Sequence, residues 1–176
     1  PFVIASLAIS RLSRSGLFKT VRAWSIMHRV LARVILGIRV VVEGALPDTP
    51  VLVALKHESM FEAVDITCLL GNPGIVVKAE LIAIPLWGKA GLIYGFIPVD
   101  REGGAKSLRT MMGQAKAAVA ENRKLAIFPE GTRVAVGEAP ELKSGFAGLY
   151  KLLALPVVPV AVQAGHVFPP RAFIKF

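Results

Sequence analysis

Cys68 is the only cysteine in 176 residues, so the chain has no disulfide framework and no cysteine metal cluster. Its setting in an apolar stretch suits a small buried side chain. The three histidines, His28, His57 and His166, lie far apart without the spacing of a known metal site. Long hydrophobic runs are also missing: no uninterrupted apolar stretch reaches the roughly 18 to 20 residues that span a bilayer. Yet 54% of the residues are hydrophobic and mean hydropathy is +0.60, so the apolar surplus must be core or surface that lies on lipid. Acidic residues are scarce, 12 against 21 Lys and Arg. The resulting charge of +9 implies an anionic partner. Aromatic content of 7% and the lack of a nucleic-acid motif argue against RNA or DNA.

A chain of this length fits one domain that buries about 70% of the surface its unfolded form exposes. Pro1 is not an initiator, and the end, Arg171 to Phe176, has no polar tail. Both features are those expected of a piece of a longer protein, with a truncated C-terminus and room for a signal or membrane-spanning segment before Pro1.

Residues 1–43 carry Arg11, Arg14, Lys19, Arg22, Arg29, Arg33 and Arg39 against Glu43 alone. At about 100° per residue, Arg11, Arg14, Arg22, Arg29 and Arg33 share an arc of roughly 100°, with Leu12, Leu17, Trp24, Met27, Leu31 and Ile35 away from it. The pattern predicts a basic amphipathic helix over residues 1–37, or a helix pair if Ser13 to Gly16 breaks it. Such a segment suits the headgroup boundary of an anionic membrane.

Residues 38–176 read as a second kind of chain. Short β-branched runs at Ile38–Val42, Val51–Leu55, Ile75–Val77, Leu125–Phe128 and Val157–Val162 are separated in several places by helical patterns, most clearly over Ala105–Asn122. The alternation predicts an α/β domain with a mixed, largely parallel sheet flanked by helices. Leu81 to Val99 is apolar apart from Lys89 but is broken by Pro85, Gly88, Gly91, Gly95 and Pro98, which argues against a bilayer span and leaves core packing, the preferred reading, or a groove for a fatty chain.

His57 follows the apolar run Val51–Leu55, at the carboxyl end of an expected strand, where open α/β sheets collect ligands. An imidazole with an ordinary pKa near 6.5 can take a proton from a hydroxyl, and Glu62 five residues on can fix its tautomer. Asp65 is a second candidate carboxylate on the same helix. Ser59 lacks the small neighbours of a hydrolase elbow and reads as a helix cap. Phe128-Pro129-Glu130-Gly131-Thr132-Arg133 sits at a matching strand exit, where Gly131 permits a turn with positive φ, Thr132 adds a donor hydroxyl and Arg133 a cation. Arg101, after Phe96 to Asp100, is placed for a bidentate phosphate contact. Lys78 and Lys143 are secondary phosphate contacts or solvent-facing lysines in equal measure.

Three ordered blocks, Lys56 to Glu62, Gly95 to Arg101 and Phe128 to Arg133, resemble the 1-acylglycerol-3-phosphate O-acyltransferase family over about residues 50 to 165. Leu155 to Val160 matches that family's fourth, hydrophobic block, with the task of walling the acyl site. The family more often has Asp where this chain has Glu62. The resemblance implies a catalytic pair of His57 and Glu62, with Arg101, Glu130, Gly131 and Arg133 binding the acceptor, to which the Thr132 hydroxyl is added from its place in the loop. It implies transfer of a fatty acyl group from acyl-CoA or acyl carrier protein to lysophosphatidic acid, giving phosphatidic acid, with no cofactor and no metal. The expected partners are that donor, a lysophospholipid acceptor and an anionic membrane surface, with no nucleic acid. The expected place is the cytoplasmic face of the inner membrane. Alternatives are another acceptor, a lyso-aminolipid or glycerol 3-phosphate, and a non-catalytic lipid-binding module.

Overall fold

Four of the five β-branched runs pair into one sheet whose ladder is parallel at every described pairing. The computed structural model describes residues 2–100 and 103–169. Its strands are β1 (Leu52–Leu55), β2 (Gly74–Lys78), β3 (Phe96–Val99), β4 (Leu125–Ile127) and β5 (Val157–Val160), in the order β3-β2-β4-β1-β5. Leu52 lies beside both Leu125 and Val157, and Ile75 beside both Phe96 and Ala126. Parallel neighbours require crossover connections, so all five carboxyl ends share one edge. The sheet, expected to be largely parallel, is parallel at every pairing among the described residues, and the residues following each strand converge.

Helices cover both faces, which is why the strands are apolar on both sides. On one face Val51, Val53, Leu55, Ile75 and Ala126 pack with Leu17, Ile66 and Tyr94. These come from α2 (Arg14–Leu36), α3 (Phe61–Leu70) and α5 (Trp87–Tyr94). On the other, Leu52, Leu125 and Ile127 meet Met111, Met112, Ala115 and Leu149 of α6 (Gly104–Ala120) and α7 (Ser144–Leu153). Each fully buried Leu or Ile here contributes about 2 kcal/mol relative to exposure. A short α4 (Ala79–Ile82) precedes α5, and Gly88 allows their close approach, since a Cβ there would stand 1.9 Å from the Ile82 carbonyl oxygen.

The amino-terminal segment is a helix pair, α1 (Phe2–Ser10) and α2, broken where Ser13 caps α2 by accepting from the Gly16 N–H at 3.1 Å. Two arginines of the arc are taken by carboxylates, while Arg11, Arg22 and Arg33 stay exposed. Arg14 is held bidentately by Glu121 at 2.7 Å, and Arg29 grips Asp65 through its Nε and a second nitrogen at 2.7 and 2.5 Å. Ser25 donates to the Val64 carbonyl at 2.7 Å, so α2 is fastened to α3 by polar as well as apolar contacts. The outward face of its carboxyl half is apolar instead: Ile26, Val30, Val34 and Ile35 are all exposed, Val34 to 75%.

Ile38–Val42 is not a strand. The chain reverses at Gly37, Ile38 N–H donates to the Ala32 carbonyl, and the run lies along Arg29, Val30 and Arg33 of α2 with no strand partner among the described residues. A β-branched run becomes a strand only where a neighbour supplies the other half of the ladder.

Among the described residues no helix is long and apolar enough to cross a membrane. Arg29→Ala leaves the Asp65 carboxylate, 9% exposed, without its partner. A loss of about 2 kcal/mol in urea denaturation is expected, with Asp65→Asn costing less because an amide carries no stranded charge.

Candidate active site

β1 and β4 are adjacent, so the segments that leave them run side by side. The turn after β1 brings His57 back over its own helix: Nδ1 lies 2.9 Å from Glu62 Oε1. That oxygen also accepts the backbone N–H groups of Glu58 and Ser59 at 2.7 and 2.6 Å, and Oε2 accepts the Ser59 hydroxyl at 2.5 Å. Ser59 Oγ in turn accepts the Phe61 N–H at 2.9 Å. Ser59 and Glu62 thus bond each other through backbone and side chain just ahead of α3, whose cap residue is Met60. One glutamate arm thus reaches the imidazole, two backbone amides and the Ser59 hydroxyl together.

Glu62 is 7% exposed. Burial pushes its carboxyl up, but the bonds from His57 and from the Ser59 hydroxyl and amide outweigh it and hold the group below the ordinary value of 4.5. An ionised Glu62 at Nδ1 makes that nitrogen the N–H donor and leaves Nε2 with its lone pair outward, the form a general base needs. The ring stacks on Phe128 with centroids 4.0 Å apart and planes 22° from parallel, so β4's exit fixes the imidazole's second face. Asp65 plays no part here, because Arg29 occupies both its oxygens.

The segment after β4 is fastened to the same spot. Val134 N–H donates to the His57 carbonyl at 2.8 Å, and Lys143 N–H donates to the Pro129 carbonyl at 2.8 Å. Gly131 does have positive φ, 66°, but its own N–H is spent on the Phe128 carbonyl at 2.9 Å and is not presented to a ligand. Glu130 is 4% exposed, lies 3.6 Å from the Lys56 ammonium, and has one oxygen without a hydrogen-bond partner. Thr132 and Arg133 stand exposed at the rim.

Lys78 is exposed at the end of β2, and Lys143 is exposed at the start of α7. No hydrogen bond or ion pair joins either to His57 or Glu62. Arg101 lies outside the described residues. Sequence reasoning passed over Glu58, which is 5% exposed and accepts the N–H groups of Ala164 and Gly165 at 3.1 and 3.0 Å. Nothing in a lone glutamate between His57 and Ser59 signalled that role. No metal-ligand cluster occurs among the described residues. A cavity of about 400 Å³ lies at the opposite edge of the sheet, where Arg123 is occupied with the carbonyls of Asn72, Pro73 and Tyr94. Neither His57 nor Glu62 lines it.

A family model described as Acyltransferase matches residues 37–163. A 1-acyl-sn-glycerol-3-phosphate acyltransferase of Pseudomonas aeruginosa is 30% identical over 158 residues, covering 89% of this chain and 62% of that protein. A protein of the same name from Cocos nucifera is 29% identical over 75% of this chain and 44% of its own length. The human 1-acyl-sn-glycerol-3-phosphate acyltransferase alpha is 31% identical over 73% of this chain and 47% of its own. The chain spans about half the length of the curated relatives it matches. The fold is that of the crystal structure of the 1-acyl-sn-glycerophosphate (LPA) acyltransferase PlsC from Thermotoga maritima, with a TM-score of 0.72, 22% identity, and coverage of 93% of this chain and 68% of that one.

Glu62 makes stability depend on acid in a definite direction. Its folded carboxyl titrates below the unfolded one, so the unfolded chain takes up the proton first as pH falls through 4.5, and the stabilisation is lost as pH drops further through the folded value. Wild type should lose urea resistance over that window. Glu62→Gln should start less stable at neutral pH and show a shallower acid decline.

Proposed function

The chain belongs to the acyltransferase family, and from that premise we propose that it transfers a fatty acyl group from an acyl thioester to the free hydroxyl of lysophosphatidic acid, giving phosphatidic acid. The observation that carries this reading is the His57–Glu62 bond at 2.9 Å on the same sheet edge as the Glu130–Arg133 segment. His57 Nε2 takes the hydroxyl proton, and the oxygen attacks the thioester carbonyl. The tetrahedral adduct collapses with loss of thiolate, which receives the proton from the imidazolium, so ester and free thiol are the products. Glu62 stabilises the imidazolium while it carries that proton. The nucleophile belongs to the substrate, so no acyl-enzyme forms, and the Ser59 hydroxyl is occupied by Glu62 and the Phe61 N–H.

Arg133, with Arg101 and Thr132, is the group of choice for the acceptor phosphate, because a guanidinium matches two phosphate oxygens at once. Lys78 and Lys143 add positive charge to the same edge. Phosphate recognition favours lysophosphatidic acid over acceptors without a phosphate. The donor is a thioester of coenzyme A or of acyl carrier protein. A membrane surface on the cytoplasmic side supplies the acceptor, and the exposed Ile26, Val30 and Val34 of α2, flanked by Arg22 and Arg33, suit contact with anionic lipid.

Thiol release from acyl-CoA or acyl carrier protein with lysophosphatidic acid tests the reading. His57→Ala should lower kcat by at least about a hundredfold, the scale of general-base catalysis. Arg133→Ala should raise the acceptor KM about tenfold while leaving the donor KM within about twofold, as loss of a charge-assisted contact implies. Unchanged thiol release in His57→Ala, or equal effects of Arg133→Ala on both substrates, contradicts the assignment.

A further inference from the structure

Three consecutive residues past the end of β1 each hold a different part of the site. The Lys56 ammonium donates to the Glu138 carbonyl and lies 3.6 Å from Glu130 Oε1. The His57 carbonyl accepts the Val134 N–H, and the Glu58 carboxylate accepts the Ala164 and Gly165 N–H groups. Lys56 therefore reaches across to both ends of the 130–138 segment, whose midpoint is bonded to the base's own carbonyl. The backbone N–H of Lys56 is anchored as well, donating to the Val160 carbonyl of β5 at 3.0 Å.

The charges give this reach a purpose. Residues 128–138 carry Glu130 and Glu138 against Arg133 alone, a net negative segment at the place where an anionic headgroup must bind. Glu130 is almost fully buried, and one of its oxygens lacks a hydrogen-bond donor. A carboxylate in that setting projects its charge strongly unless a cation stands beside it.

We propose that Lys56 is a positioning residue for the anionic acceptor: it offsets the Glu130 charge and fixes the 130–138 segment beside His57. This rests on the acyl-transfer reading above and deepens it, since Lys56 acts through Glu130 and does not touch the reacting atoms. With Lys56 in place, the 130–138 segment is locally balanced in charge. Without it, the same segment repels phosphate and loosens at both of its attachments.

The test compares wild type, Lys56→Met, Lys56→Arg, Glu130→Gln and the Lys56→Met/Glu130→Gln double variant by thiol release with lysophosphatidic acid, together with amide hydrogen exchange. Lys56→Met should raise the acceptor KM about tenfold with the donor KM within about twofold, and Lys56→Arg should recover to within about threefold of wild type. In the Glu130→Gln background the same Lys56→Met change should cost less than about threefold, the non-additivity of two residues acting as one unit. Exchange at the Val134 amide should quicken in Lys56→Met while the β1 amides stay protected. Equal rises in both KM values, no recovery with arginine, simple additivity with Glu130→Gln, or unaltered Val134 exchange each overturn the proposal. Absence of thiol release in wild type removes the acyl-transfer reading instead, and the exchange measurement still judges whether Lys56 holds the segment.

Discussion

The Glu62 carboxylate is the interaction on which the rest depends. It is buried, and it is kept ionised by four donors, the His57 ring, two backbone amides and the Ser59 hydroxyl. One group therefore starts a helix, closes the turn after β1 and sets the tautomer of the base. These duties are not separable. A change that relaxed the helix start would also turn the imidazole, because the same oxygen serves both.

Phe128 and Val134 then tie the β4 exit to the same imidazole and to its carbonyl, so the reacting group is gripped from two neighbouring strands. Under the proposed transfer, the acceptor hydroxyl would come from outside, and a fixed Nε2 is what could be matched to its position. Thr132 and Arg133 are exposed on this segment, while Glu130 and Val134 beside them are buried.

Much of this was legible in the residues. The β-branched runs that became β1, β2, β4 and β5 announced themselves, as did the helical period of α6, and the spacing of His57 from Glu62 foretold their contact. Ile38–Val42 had the same composition as a strand but no neighbour, and a composition cannot say whether a neighbour exists. Two arginines of the arc, Arg14 and Arg29, took partners the helix alone could not show: helical geometry sees its own turns, while Glu121 and Asp65 arrive from 107 and 36 residues away. The choice between Glu62 and Asp65 was settled in the same way, by a partner on another helix. Lys56 and Glu58 gave no signal, since each does its work across a loop whose position only the folded chain defines.

The strand order has a consequence for how the molecule comes into being. β4 is inserted between β1 and β2, although Leu52 and its partner Leu125 are about 70 residues apart in the chain. During synthesis from the amino end, the first part made must wait with a gap in its ladder until β4 emerges to fill it. The imidazole and its carboxylate can meet early, being local, but the cradle beside them is among the last things assembled. A ribosome-bound intermediate lacking β4 would expose the apolar flanks of β1 and β2, which makes this interval the point at which the chain is most open to wrong partners.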